Sequence, residues 1–131
     1  MANSRFVLDT NAIIFLASKG NSLSSELQNE LNEADLFASV ITEIELFAKP
    51  RLPPEEEKTL RAFLANNIPV VDIDGAIKAQ TIALRRAAKA KLPDAIIAAT
   101  SIILNAPLLT NDSKLLSLNW SGFAAKSMGS E

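Results

Sequence analysis

The stretch Phe6-Val7-Leu8-Asp9-Thr10-Asn11-Ala12-Ile13-Ile14-Phe15-Leu16-Ala17 decides the fold. Three apolar residues read as a short buried strand. Asp9-Thr10-Asn11 reads as a polar turn, and the apolar run behind it as a helix ending near Gly20, since glycine suits a helix C-terminus. The same grammar recurs along the chain. Leu36 to Val40 forms a second expected strand, followed by a helix that Thr42 opens and that runs to about Ala48. Ile68 to Ile73 is a third strand and Pro107 to Leu109 a fourth, the latter followed by Thr110-Asn111-Asp112 and a short helix from Lys114 to Leu118. Further helices are expected over 23–31, where Leu23, Leu27 and Leu31 recur at i, i+4 and i+8, and from Pro53-Pro54 onward, where Glu55, Glu56 and Glu57 suit the positive end of the helix. Ala-rich 75–89 is another. Leu92-Pro93-Asp94 then interrupts, and 95–104, apolar nearly all round, is the central helix. Phe123 to Met128 adds an edge strand. Short apolar strands alternating with helices predict an α/β fold whose mainly parallel sheet is covered on both faces, with the functional site beyond the carboxyl ends of the strands.

Composition narrows the chemistry. With 131 residues, 48% hydrophobic and 21% charged, the chain has the balance of one globular domain spanning 1–131. It contains no cysteine and no histidine. Disulfides and thiolate–metal sites are excluded, and so are the commonest general base and the commonest zinc ligand. A net charge of −2 leaves any nucleic-acid contact to a local basic patch. The first residues lack a signal-peptide hydrophobic region and no apolar run reaches membrane-spanning length, so a cytoplasmic protein without membrane contact is expected.

Four acids fall where a parallel sheet would gather them. Asp9 follows the first strand and Asp112 the fourth. Asp94 stands at the start of the central helix, and Glu45 is expected in the first turn of the helix after the second strand. Each has an ordinary structural explanation. Asp9 or Asn11 can cap the first helix, Asp112 the last, and Asp94 can complement a helix dipole. Thr42-Glu43-Ile44-Glu45 matches a capping box. Their conjunction at one edge says more, because unpaired carboxylates a few ångströms apart raise one another's pKa values and a divalent cation relieves the conflict. Without His or Cys, the metal site this chain can build is all-oxygen, which suits Mg²⁺ or Mn²⁺.

Four stretches carry a family resemblance: Val7-Leu8-Asp9-Thr10-Asn11, Ser39-Val40-Ile41-Thr42-Glu43-Ile44-Glu45-Leu46, Leu92-Pro93-Asp94-Ala95-Ile96-Ile97-Ala98-Ala99-Thr100, and Leu109-Thr110-Asn111-Asp112. In this order and spacing the sequence resembles the PIN-domain ribonucleases, and among them the VapC-type toxins of toxin–antitoxin pairs. The resemblance implies a three-layer α/β/α sandwich and a metal site formed by Asp9, Glu45, Asp94 and Asp112. It also implies support from Thr110, through a hydroxyl near the metal, and from Asn11, through an amide orienting Asp9. Helical phase leaves Glu43 open as an alternative to Glu45; the family pattern, with its acid directly before Leu, favours Glu45. The implied activity is endoribonuclease hydrolysis with one or two metal ions, leaving 5′-phosphate and 3′-hydroxyl ends. The implied partners are RNA, a cognate antitoxin protein and a second copy in a homodimer.

Arg85, Arg86, Lys89 and Lys91 precede Asp94, and Lys49 and Arg51 follow the Glu45 helix. They are candidates for phosphate contacts, or an ordinary solvated face. An aspartyl-phosphate enzyme would want a second Asp where Asn11 stands. A non-catalytic PIN-like module binding RNA or protein is the ranking alternative to the nuclease.

Overall fold

The computed structural model describes residues 4–129, so the single domain expected over 1–131 extends past the described residues at each end. Strand β1 (Arg5–Leu8) is followed by helix α1 (Thr10–Lys19), a 3-10 turn (Gly20–Ser22) and α2 (Ser25–Asn32). Then come β2 (Asp35–Ser39), α3 (Val40–Phe47), α4 (Pro54–Asn67) and β3 (Val70–Val71). The chain continues through α5 (Gly75–Ala87), α6 (Leu92–Leu104), β4 (Leu108–Leu109), α7 (Ser113–Leu116) and β5 (Ala125–Lys126).

The five strands form one sheet in the order β3-β2-β1-β4-β5, and every pairing is parallel. Alternation along β1 sends its side chains to opposite faces. Phe6 and Leu8 join Ile13, Leu27, Leu60 and Leu64 in the core under α1, α2 and α4. Val7 joins Ile97, Leu108 and Leu115 on the other face, where α6 lies against the sheet and α5 packs on α6. At that helix pair Ile77 and Leu84 sit on Ala95, Ala98 and Ala99, small residues that let two helices approach closely. Helices on both faces of an all-parallel sheet give the covered sheet that the alternating pattern predicts, and make the three-layer α/β/α sandwich that the resemblance implies.

The chain builds β1, β2 and β3 outward in one direction, then returns to the opposite side of β1 to lay down β4 and β5. The reversal lies between β1 and β4, and in open parallel sheets a crevice forms there at the carboxyl ends. Asp9 leaves β1 at that place, and Thr110-Asn111-Asp112 leaves β4 there. The backbone N–H of Asp9 donates to the Leu109 carbonyl at 3.3 Å, which locks the two loops together.

Three local expectations change. Helix α3 starts at Val40, not Thr42, and its cap is Ser39, whose hydroxyl accepts from the Ile41 N–H at 3.1 Å. Thr42 is fully buried inside the helix, so the capping box does not form. Glu43 takes the first turn and Glu45 falls in the second. Leu92-Pro93-Asp94 is not a break but the first turn of α6, with proline where a missing N–H costs nothing. The third strand shrinks to Val70–Val71, because the sheet edge offers a partner on one side.

The α5–α6 contact gives a stability prediction. Leu84 is fully buried, and Leu84→Ala should cost roughly 2–5 kcal/mol, the usual range for a buried Leu truncation. Urea denaturation measures it; a cost near zero would mean that α5 does not pack on α6 as described.

Candidate functional site

Asp9 is the N-cap of α1, and it is 5% exposed. One carboxylate oxygen accepts from the Ala12 N–H at 2.7 Å. The other accepts from the Thr110 hydroxyl. Thr110, itself fully buried, also accepts from the backbone N–H of Asp112 at 2.9 Å. One hydroxyl thus joins the acid after β1 to the acid after β4. Asp112 in turn caps α7, accepting from the N–H groups of Lys114 at 2.8 Å and Leu115 at 3.3 Å.

Asp94, half-buried in the first turn of α6, makes no side-chain hydrogen bond among the described residues. Glu45 is exposed, and its Oε1 accepts from the Thr10 hydroxyl at 2.7 Å. Glu43 lines a different groove with Phe47, Arg61 and Leu64.

Electrostatics link these acids in pairs. Burial pushes the Asp9 carboxyl above its ordinary value; bonds from Thr110 and Ala12 oppose that, and the charges of Asp112 and Asp94 add to it. Asp94 is raised as well, first by burial, then by the charges of Asp112 and Glu45, against relief from Lys91 and Lys114. Asp94 thus feels the charges of Asp112 and Glu45, and Asp9 those of Asp112 and Asp94.

The supporting residues separate. Thr110 holds Asp9, whereas Asn11 is exposed and makes no hydrogen bond to it. Of the basic candidates, Lys91 reaches the field of Asp94. Arg85 instead donates to the Ala90 carbonyl at 3.1 Å and ties the turn between α5 and α6; Arg86 and Lys89 are exposed near the same turn. Two participants were missed from sequence. Lys114 follows Asp112 closely and could have been inferred from that spacing. Thr10 sits in the motif itself, but its partner is 35 residues away.

The chemistry of the donor set fits a hard divalent cation. Every side chain offers oxygen, and both raised acids feel like charges, with Asp94 lacking a side-chain hydrogen bond among the described residues. No group of three acids encloses a ready-made cage among the described residues. Mg²⁺ commonly retains several waters and takes one or two carboxylates directly, so an open arrangement of this kind suits it.

A sequence profile of the PIN domain matches residues 6–120. Among curated proteins no sequence match is found. Solved structures are similar over nearly the whole chain. One is a chain of VapBC2 from Rickettsia felis bound to a DNA fragment from its promoter, with a TM-score of 0.78 at 20% identity, covering 94% of this chain and 98% of that one. Another belongs to a toxin–antitoxin complex from Klebsiella pneumoniae, with a TM-score of 0.67 at 28% identity, covering 91% and 95%. A third belongs to VapBC-1 from nontypeable Haemophilus influenzae, with a TM-score of 0.65 at 25% identity, covering 89% and 96%.

The crowded acids make a pH prediction. A carboxyl raised in the folded state binds its proton more tightly there than in the unfolded chain. Its penalty on stability is absent below the ordinary carboxylate value of about 4 and grows as pH rises through the folded value. In metal-free buffer Asp94→Asn should therefore melt higher than the parent at pH 7, with the gap closing as the pH falls toward 4. Thermal denaturation at the two pH values checks this; a lower melting point at pH 7 would show that the Asp94 charge is stabilised, not strained.

Proposed function

The chain belongs to the PIN-domain family, and on that premise we propose that it is a Mg²⁺- or Mn²⁺-dependent endoribonuclease, the toxin of a type II toxin–antitoxin pair. The observation that carries this reading is the set of acids Asp9, Glu45, Asp94 and Asp112, with Asp9 raised by burial and the charges of Asp112 and Asp94, and Asp94 by burial and the charges of Asp112 and Glu45. PIN-domain proteins of the VapC type are nucleases, and the resemblance of the four motifs to theirs implies that these four positions are the metal-binding acids. A bound divalent ion would supply an activated water and neutralise charge on the phosphodiester.

The chain's own residues set the terms for that chemistry. Thr110 and the Ala12 N–H fix both oxygens of Asp9. The Asp112 carboxylate is aimed by its cap to α7. Asp94 keeps both oxygens free of side-chain hydrogen bonds among the described residues. Lys91 and Lys114, which face Asp94 electrostatically, are placed to draw a phosphate backbone toward acids that would otherwise repel it. With no histidine in the chain, proton transfers fall to water and carboxylates.

A cognate antitoxin is the proposed partner, supported by the toxin–antitoxin complex from Klebsiella pneumoniae and VapBC-1 from Haemophilus influenzae. A homodimer and a cytoplasmic location belong to the same reading; no helix among the described residues is long and apolar enough to cross a membrane. The profile match to residues 6–120 supports treating 1–131 as one nuclease domain.

The test is Mg²⁺-dependent cleavage of total RNA, with cleavage ends mapped. Asp94→Asn should lower the rate by roughly 100-fold or more, since even residues behind metal ligands commonly cost 10–100-fold, while the circular dichroism spectrum stays that of the parent. Cleavage at the parent rate would remove Asp94 from the site. A folded parent that neither binds Mn²⁺ nor cuts RNA would favour the non-catalytic binding module.

A further inference from the structure

We propose that Thr10 is a positioning residue that holds Glu45, and not Glu43, in the acidic site; this rests on the metal-nuclease reading above.

The argument begins with where Thr10 stands. It is the first residue of α1, directly behind the buried Asp9 that caps that helix. Its backbone is therefore fixed by the same bonds that fix Asp9. From that position its Oγ1 lies 2.7 Å from Glu45 Oε1 and 3.5 Å from Thr42 Oγ1. A hydroxyl has one proton to give. A short bond to a carboxylate is charge-assisted and outweighs a long one to a neutral oxygen, so Thr10 donates to Glu45. Thr42 has no exposed surface and backs Thr10 from inside α3.

Glu45 needs such a partner. It is exposed on the second turn of α3, on a long side chain with considerable rotamer freedom to lose on ordering. The Thr10 hydroxyl is its hydrogen-bond donor among the described residues. Glu43 is nearer the start of the helix, but two residues of helix turn it through about 200°, and it lines the groove with Phe47 and Arg61. Asp9-Thr10 thus sets two acids with two adjacent residues. Asp9 enters the site itself, and Thr10 reaches across to α3 and orients the other.

Thr10→Val keeps the shape and removes the donor; Thr10→Ser keeps the donor. Mn²⁺ titration by calorimetry should show about tenfold weaker binding for Thr10→Val and near-parental binding for Thr10→Ser, in line with the effect of groups that orient metal ligands. The kcat for RNA should fall in Thr10→Val with KM unchanged. In a Glu45→Gln background Thr10→Val should cost nothing further. Without metal, the ¹³C carboxyl resonance of Glu45 should move in Thr10→Val and return in Thr10→Ser, while that of Glu43 stays in place. Parental Mn²⁺ affinity in Thr10→Val, an equal loss in the Glu45→Gln background, or an unmoved Glu45 resonance would each overturn the proposal. If the parent binds no Mn²⁺, the metal reading fails, and the metal-free resonance still decides whether Thr10 holds Glu45.

Discussion

Asp9 is a carboxylate almost closed off from water at the point where the chain reverses across its sheet. Burying such a group is unfavourable unless it is hydrogen-bonded. The fold supplies two donors, the Ala12 N–H in the first turn of α1 and the Thr110 hydroxyl after β4. One donor is local and exists because α1 begins there. The other is 101 residues distant and exists because β4 pairs with β1. The acid is satisfied when strand order, helix start and loop conformation all agree, so the same contacts that tolerate its charge also specify the reversal.

The helix caps and the candidate site use the same atoms. Asp9 caps α1 and Asp112 caps α7, as an ordinary structural reading of the sequence would have it. In a parallel sheet each following helix starts at the carboxyl edge, and its unpaired N–H groups favour acids there. Acids recruited for capping are thereby concentrated in one crevice. The excess over capping is what points to function: Asp94 caps nothing through its side chain, and its carboxyl is raised by burial and by the charges of Asp112 and Glu45. A helix start accounts for an acid's presence, but not for the accumulation of four.

Period and punctuation made the fold legible. The apolar run before Asp9, Gly20 after the first helix and the near-continuous apolar face of 95–104 each carried a local signal that tertiary packing did not override. Boundaries were less legible where two signals overlapped. Ser39 and Thr42 are both good caps, and the sequence does not reveal that β2 runs into α3 without a loop, leaving Thr42 inside the helix. Pro93 reads equally as a breaker or as a first-turn residue. The four acids were visible by order along the chain. The role of Asn11 was not: its amide is exposed and Thr110 does the orienting. Thr10 was invisible because its bond to Glu45 spans two helices, a relation that local spacing cannot encode.

The C-terminal edge illustrates how such distant relations fix a loop. Strand β5 has two residues and could not hold itself in place by pairing alone. Met128 anchors it by burial in the core beneath α1 and α2. Asn111 then accepts from the Ser127 hydroxyl and the Met128 N–H, both at 2.9 Å, and the Thr110 N–H donates to the Lys126 carbonyl at 3.0 Å. The loop that carries Thr110 and Asp112 is gripped on one side by Asp9 and on the other by the last strand. Its backbone therefore has little freedom to move Thr110 away from Asp9, which is why an edge strand without a functional residue of its own still belongs to the architecture of the acidic site.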